Sequence, residues 1–245
     1  MRIVRKIKKL LHILTMVDRT WLRALRLGVP AGVEHVTILR RLTCRTVLDV
    51  GANRGQFALA AKRCFPDAQV LSFEPLVEPA TKFRATFCRD SSVTLYEAAI
   101  GPQSGNATIH ISRRDDSSSL LPITAQQGKL FPGTQESGTR IIRVAPLRDL
   151  IEPECLVSPV LLKLDVQGFE LQALAGCEDL LGRVAFVYVE CSFVELYSGQ
   201  AFADEVIRYL QGRGFTLDGI YNLTYDRDGR VIQGDFLFVR RPIVD

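Results

Sequence analysis

Val47-Leu48-Asp49-Val50-Gly51-Ala52-Asn53-Arg54-Gly55-Gln56-Phe57 is the stretch on which the fold of this chain turns. The apolar run up to Asp49 reads as a strand that breaks on glycine and hands over at once to a helix. Gly51 permits a turn with positive φ, and Gly55 permits close approach of a ligand or of a neighbouring helix. A second strand, Gln69-Val70-Leu71-Ser72-Phe73, ends on Glu74-Pro75, with Glu74 lying 25 residues after Asp49.

Strand, turn, helix and a second strand closed by a carboxylate suit a nucleoside-type cofactor laid across the strand ends. Glu74 then serves the ribose hydroxyls. A dinucleotide site uses G-x-G-x-x-G, whose middle glycine admits backbone amides to a pyrophosphate. Here the spacing is G-x-x-x-G, and Asp49 stands two positions before the first glycine. An acid at that place repels phosphate and attracts an ammonium group. S-adenosylmethionine has an amino-acid tail, a sulfonium and no phosphate, so it is the cofactor expected. A glycine pair also serves packing alone, and the order Asp49, Gly51, Gly55, Glu74 is what adds weight.

With 245 residues, 47% hydrophobic and 24% charged, the composition is that of an α/β domain with a sizeable core. The formal net charge of +4 is uneven. Residues 1–45 hold 11 Lys/Arg against two acids, and the remainder holds 20 against 25. Two regions are therefore expected, a basic helical N-terminal extension over 1–45 and the cofactor-binding domain over 46–245. The acidic body argues against nucleic acid as a partner. Six scattered cysteines without C-x-x-C spacing fit reduced core thiols and a reducing compartment, and no metal is expected. No secretion signal is read at the N-terminus. Ile3, Ile7, Leu10, Leu14 and Val17 share one helical face that Arg2, Arg5, Lys8 and Lys9 avoid. Residues 1–20 therefore suit contact with an anionic membrane surface, or packing on the body or a partner subunit. The expected location is cytoplasmic, with peripheral contact at the inner membrane face.

From residue 46 onward strand and helix signals alternate, which indicates a parallel sheet covered on both faces. Strands are read at 46–50, 70–73, 93–97, 160–164 and 184–189, and helices at 55–65, 79–89, 168–181 and 201–212. Between 106 and 150, two extra strands (107–111 and 140–144) flank a polar loop. Two late strands, 215–221 and 235–239, pair antiparallel across a turn at Asp228-Gly229. A mostly parallel sheet that finishes in an antiparallel strand is the layout of a class I methyltransferase, a Rossmann-like fold with seven strands.

In such sheets the site lies outside the carboxyl ends of the strands. Asp49, Glu74, Glu97, Asp165 and Glu190 are the acids there. In Leu161–Glu170, Lys163 and Asp165 share one face of a strand. A buried lysine needs a carboxylate, and Asp165 or Glu190 is the expected partner. The pair either fixes loop geometry alone or orients an acceptor hydroxyl and takes its proton. Asp165 is the first candidate base and Glu190 the second. Lys163 qualifies only if burial lowers its pKa. His110 alternates within a strand, and His12 and His35 fall in the N-terminal segment, where structural or solvated roles fit. The loop Arg113–Ser119 reads as an exposed turn that could also close over an acceptor.

The VLDVGANRGQF run, the FEP, Ala98–Gly101, Ser117–Leu120 and LLKLDVQGFE together resemble the FkbM family of methyltransferases over about residues 46–240. The resemblance implies an S-adenosylmethionine-dependent O-methyltransferase, often acting on hydroxyls of sugars, glycolipids or polyketides. It further implies that Asp49, Gly51, Ala52, Asn53 and Gly55 surround the methionine portion, that Glu74 accepts from the ribose, and that Ala99 flanks the adenine. The family usually carries an acid where this chain has Gln167, which takes any metal or base role away from that position. The reaction implied is displacement at the sulfonium methyl by an acceptor hydroxyl, helped by alignment and by a positioned base. Two rivals are an acceptor that is RNA or protein, and a non-catalytic scaffold on the same fold.

Overall fold

The computed structural model describes residues 19–240 of the chain. The basic stripe at the extreme N-terminus and His12 lie outside the described residues. The chain begins with α1 (Arg19–Arg26) and α2 (Val36–Leu39), then β1 (Thr46–Val50), α3 (Gln56–Cys64), β2 (Gln69–Phe73) and α4 (Val77–Phe87). It continues through β3 (Val93–Tyr96), β4 (Ala99–Ile100), β5 (Gly105–Ser112), α5 (Ala125–Leu130) and β6 (Glu136–Ala145). The rest comprises β7 (Val160–Leu164), α6 (Glu170–Gly176), α7 (Glu178–Leu181), β8 (Val184–Ser192), α8 (Ala203–Gln211), β9 (Phe215–Tyr225) and β10 (Val231–Arg240).

Seven strands form the main sheet in the order β3-β2-β1-β7-β8-β10-β9. The pairs from β3 to β8 are parallel, and β10 runs antiparallel to both β8 and β9. This is the class I methyltransferase layout that the alternation of signals implies. β1 and β7 are buried at every position because helices cover both faces. On one face Leu48, Val50, Leu162 and Leu164 pack with Leu174, Val206 and Leu210. On the other, Val47, Val70 and Leu161 pack with Phe57, Leu39 and Trp21. Trp21 and Leu39, from the segment before β1, thus pack in the same core cluster as Val47. No helix among the described residues is long and apolar enough to cross a membrane.

The 106–150 stretch departs from the parallel pattern, as expected. β5 and β6 pair antiparallel and β4 joins β6 to give a separate three-stranded sheet. The loop between β5 and β6 also contains α5, whose Thr124 hydroxyl accepts from the Gln127 N–H at 3.2 Å, an N-cap. The helix read over 168–181 divides at Cys177 into α6 and α7. Glu97 needs correction as a site acid. It ends an edge strand with its side chain exposed, and it pairs with Arg84 on the outer surface. His110 sits in β5 with Nδ1 3.0 Å from Glu136, which agrees with a strand role.

Candidate active site at the carboxyl ends of the central strands

Side-chain alternation places Asp49, Lys163 and Tyr188 on one face of three adjacent strands, in direct register. Lys163 Nζ lies 3.1 Å from Asp49 Oδ1 and donates to the Gly51 carbonyl at 2.9 Å. Asp165 Oδ2 is farther, at 3.8 Å. The lysine's main partner is thus Asp49, not Asp165 or Glu190. Burial works against its charge, but the neighbouring Asp49 and Asp165 carboxylates prevail and raise its pKa. A protonated lysine has no lone pair to offer, and the raised pKa opposes the condition under which Lys163 could act as a base. Its role is to hold the Gly51 turn and the buried Asp49 together.

A cleft of about 430 Å³ opens above this layer, within the usual size range for small-molecule sites. Gly51, Ala52 and Asn53 form part of its wall, while Asp49 and Gly55 stand behind it. Asp49 is fully buried behind that wall, with Lys163 Nζ 3.1 Å from its Oδ1. Gly55 adopts φ +93°, and a Cβ there would lie 2.6 Å from the Phe87 ring. Its small size serves the approach of α4. Gly51 adopts φ +77° and packs so closely that a Cβ would lie 1.9 Å from the Asp165 carbonyl oxygen.

The cleft wall carries both apolar and polar groups. Phe73, Leu76, Ala99, Ile100, Ile109 and Phe169 supply apolar surface, and Glu74 also lines it. Glu74 Oε2 accepts from the Asn53 N–H at 2.9 Å and Oε1 from the Leu76 N–H at 2.8 Å. Burial pushes its carboxyl up to about 7 against the pull of these two bonds. A carboxylate has about four acceptor positions, so Glu74 retains capacity for a ligand diol.

Asp165, Gln167, Glu190 and Gln233 also line the cleft and form one polar cluster. Gln167 Nε2 donates to Asp165 Oδ1 at 2.6 Å and to Glu190 Oε2 at 3.1 Å. Gln233 Nε2 donates to Glu190 Oε1 at 2.6 Å. Burial, followed by the charges of Asp165, Asp235 and Glu170, raises the Glu190 pKa well above the usual carboxylate range. Glu170 itself accepts from the Val166 and Gly168 N–H groups, both at 3.2 Å, and so fixes the loop that carries Gln167.

Loop 113–119 is exposed at Arg113, Arg114 and Asp116 but turns inward at its end. Ser117 and Ser119 are buried, the Ser119 hydroxyl donates to the Gln167 carbonyl at 2.6 Å, and Arg54 Nε donates to Asp115 at 3.0 Å. His35 is also in the cleft wall, with Nδ1 3.1 Å from the Tyr188 hydroxyl and 3.5 Å from Asp235. Sequence reasoning passed over Gln233 and Tyr197, gave His35 a structural or solvated role, and met Gln167 only as a departure from the resembling family. Only Gln167 carried a signal, as the position where the resembling family has an acid. Among the described residues no cluster of His, Cys, Asp and Glu could hold a metal ion.

The arrangement has counterparts in known proteins. The methyltransferase FkbM domain matches residues 49–217. Over 160 residues the chain is 29% identical to the 2-O-methyltransferase NoeI of Sinorhizobium fredii, a match covering 63% of this chain and 66% of that protein. It thus spans just under two thirds of that relative's length. Over 196 residues it is 29% identical to the 31-O-demethyl-FK506 methyltransferase FkbM of Streptomyces tacrolimicus, covering 70% of this chain and 72% of that one. Among solved structures, cofactor-bound Rv0187 from MTB superimposes with a TM-score of 0.50 at 16% identity, covering 91% and 90% of the two chains, which is a likeness of fold. The family match spans more than half of the chain and includes Asp49 at the end of β1, Glu74, Asp165, Gln167 and Glu190. The chain therefore belongs to the methyltransferase FkbM domain family.

Proposed function

We propose that this protein is an S-adenosylmethionine-dependent O-methyltransferase whose acceptor is a hydroxyl of a sugar, glycolipid or related natural product. The observation that carries the proposal is a single cleft lined by apolar side chains, by Glu74 with spare acceptor capacity and by the Asp165 and Glu190 carboxylates. When bound, S-adenosylmethionine supplies a methyl group activated on a sulfonium. Glu74 would hold the ribose, the apolar surface the adenine, and the Gly51–Asn53 turn with the N-terminus of α3 the amino-acid portion. Asp165 and Glu190 would orient the acceptor hydroxyl and receive its proton, an effect of roughly 10²–10⁴-fold in comparable systems.

Charge supports the acceptor class. Among the described residues, Glu34, Glu74, Asp115, Asp116, Asp165 and Glu190 reach the cleft wall against two cationic side chains, Arg114 and Lys163. Arg114 is paired with Asp116 at 2.9 Å, and Lys163 with Asp49. A cleft of this sign favours a cationic donor and an uncharged acceptor over phosphates. Incubation with isotopically labelled methyl donor and a lipid-plus-saccharide extract tests the proposal, with the product identified by mass. Label in a neutral glycan or glycolipid is expected. Label in RNA or polypeptide alone would overturn the acceptor assignment.

Glu74 gives a pH signature. Its folded-state pKa of about 7 lies above the ordinary carboxylate value, so its contribution to stability is fully present below the unfolded value of 4.5 and is lost as pH rises through about 7. Glu74→Gln should therefore remove part of the stability loss that the unliganded protein shows between about pH 5 and about pH 8. Donor binding should run the other way. An ionised Glu74 accepts both ribose hydroxyls, so affinity should rise through neutral pH in the wild type and stay flat in Glu74→Gln. Calorimetric titration across pH reads both slopes.

A further inference from the structure

The polar cluster is held by a hydrogen-bond chain that reaches the insertion between β5 and β6. The Tyr197 hydroxyl, on the loop after β8, donates to Gln167 Oε1 at 2.6 Å. Tyr197 is almost fully buried, and its hydroxyl accepts from Gln127 Nε2 of α5 at 3.2 Å. The Ser117 carbonyl lies 3.1 Å from the same hydroxyl, and the Ser119 hydroxyl holds the Gln167 carbonyl. Because Tyr197 takes the amide oxygen, the Gln167 NH₂ group must face Asp165 and Glu190. The flipped amide would set its oxygen against two carboxylates. Gln167 itself sits at φ +56°, a left-handed conformation rarely adopted by residues other than Gly, Asn and Asp. The Ser119 and Glu170 contacts on either side of it hold that turn.

We propose that Tyr197 and Gln167 are positioning residues that clamp Asp165 and Glu190 at one separation as hydrogen-bond acceptors, and that tie this geometry to the seating of the 117–131 insertion over the cleft. The inference rests on the methyltransferase reading for its purpose, but not for its test. A neutral amide between two acids supplies a donor to each without adding a third negative charge, which a glutamate at this position would do. Gln233 completes the clamp from β10. Each donor stabilises the ionised form of Glu190, opposing the burial and the like charges that disfavour it. The groups facing Glu190 are Asp165 and Lys163 on the β7 side, Glu170 at the start of α6, Asp235 on β10, and Tyr197. Of these only Lys163 favours the anion, and the Gln167 and Gln233 amides add to it.

The test is the titration of Glu190, read by NMR on protein carrying carboxyl-labelled glutamate, with Glu190→Gln to assign the signal. Gln167→Met keeps side-chain length and removes both donor bonds, so the Glu190 midpoint should rise by about one pH unit, a tenfold gain in proton affinity. Tyr197→Phe removes only the anchor, so a smaller rise in the same direction is expected. The conservative Gln167→Glu should raise the midpoint further still, because it adds charge in place of the donor. Amide exchange in α5 should quicken in Tyr197→Phe. An unmoved Glu190 midpoint in both Gln167→Met and Tyr197→Phe, with the folded spectrum retained, would overturn the clamp. S-adenosylmethionine titration of the wild type is read separately. Its failure would remove the methyltransferase reading while leaving the Glu190 result standing.

Discussion

Lys163→Met should destabilise the protein by about 3–5 kcal/mol, the range seen when one partner of a buried ion pair is removed. Lys163 is 6% exposed and Asp49 is not exposed at all, so water cannot take the place of the missing ammonium. The Gly51 carbonyl also loses its donor. Replacing both charges, in Lys163→Met with Asp49→Leu, should recover most of the loss, because apolar pairs of similar volume often match a buried ion pair in stability. Acidification should shrink the cost of the single substitution. Burial already raises the Asp49 pKa, and without Lys163 the carboxyl takes up a proton more readily, which relieves the unpaired charge. Urea denaturation of the three proteins at two pH values measures each of these differences. Equal stability of Lys163→Met and wild type at neutral pH would mean that the pair carries no structural load.

Gly51→Ala should have the second large effect. A left-handed backbone costs a non-glycine residue about 1 kcal/mol, and overpacking adds typically 1–3 kcal/mol. Here the added Cβ would meet the Asp165 backbone oxygen at 1.9 Å, and a backbone atom cannot swing aside as a side chain can. The loops after β1 and β7 must separate, which moves the donor turn and the candidate base together. A total of about 4 kcal/mol and loss of donor binding are expected. Gly28→Ala supplies the control. Gly28 has a similar φ of +69° with open space around its missing Cβ, so only the backbone cost of about 1 kcal/mol should appear. Similar losses in the two variants would show that the 51–165 contact is loose.

The parts of the fold set by local pattern were legible in the sequence. Gly51 and Gly55 bracket the turn between β1 and α3, apolar runs mark β1 and β7, and Asp228-Gly229 marks the hairpin between β9 and β10. Ala107–Ile111 and Arg140–Val144 announced the separate sheet, though the strands extend beyond both. What escaped depends on which strands are neighbours. Asp49 meets Lys163 only because β1 lies beside β7, a pairing of segments 114 residues apart that no local spacing encodes. Strand-end counting placed five acids around the cleft, and Glu97 failed because β3 is the edge strand and its terminal side chain faces solvent and Arg84. The Arg113–Ser119 loop reads as solvated by composition. Ser117 and Ser119 are nonetheless buried: the Ser119 hydroxyl donates to the distant Gln167 carbonyl, and Ser117 sits against Tyr197. Gln167, Tyr197 and Gln233 converge from three separate segments, so their meeting is a property of the fold alone.

The central claim is that the cleft above Gly51 and Glu74 accepts a positively charged adenosine compound without phosphate. Calorimetric titration of the purified protein with S-adenosylmethionine, beside a nicotinamide dinucleotide, tests it most directly. Saturable one-to-one uptake of S-adenosylmethionine is expected, weakened in Glu74→Gln, with no heat from the dinucleotide. Tight uptake of the dinucleotide and none of S-adenosylmethionine would contradict it.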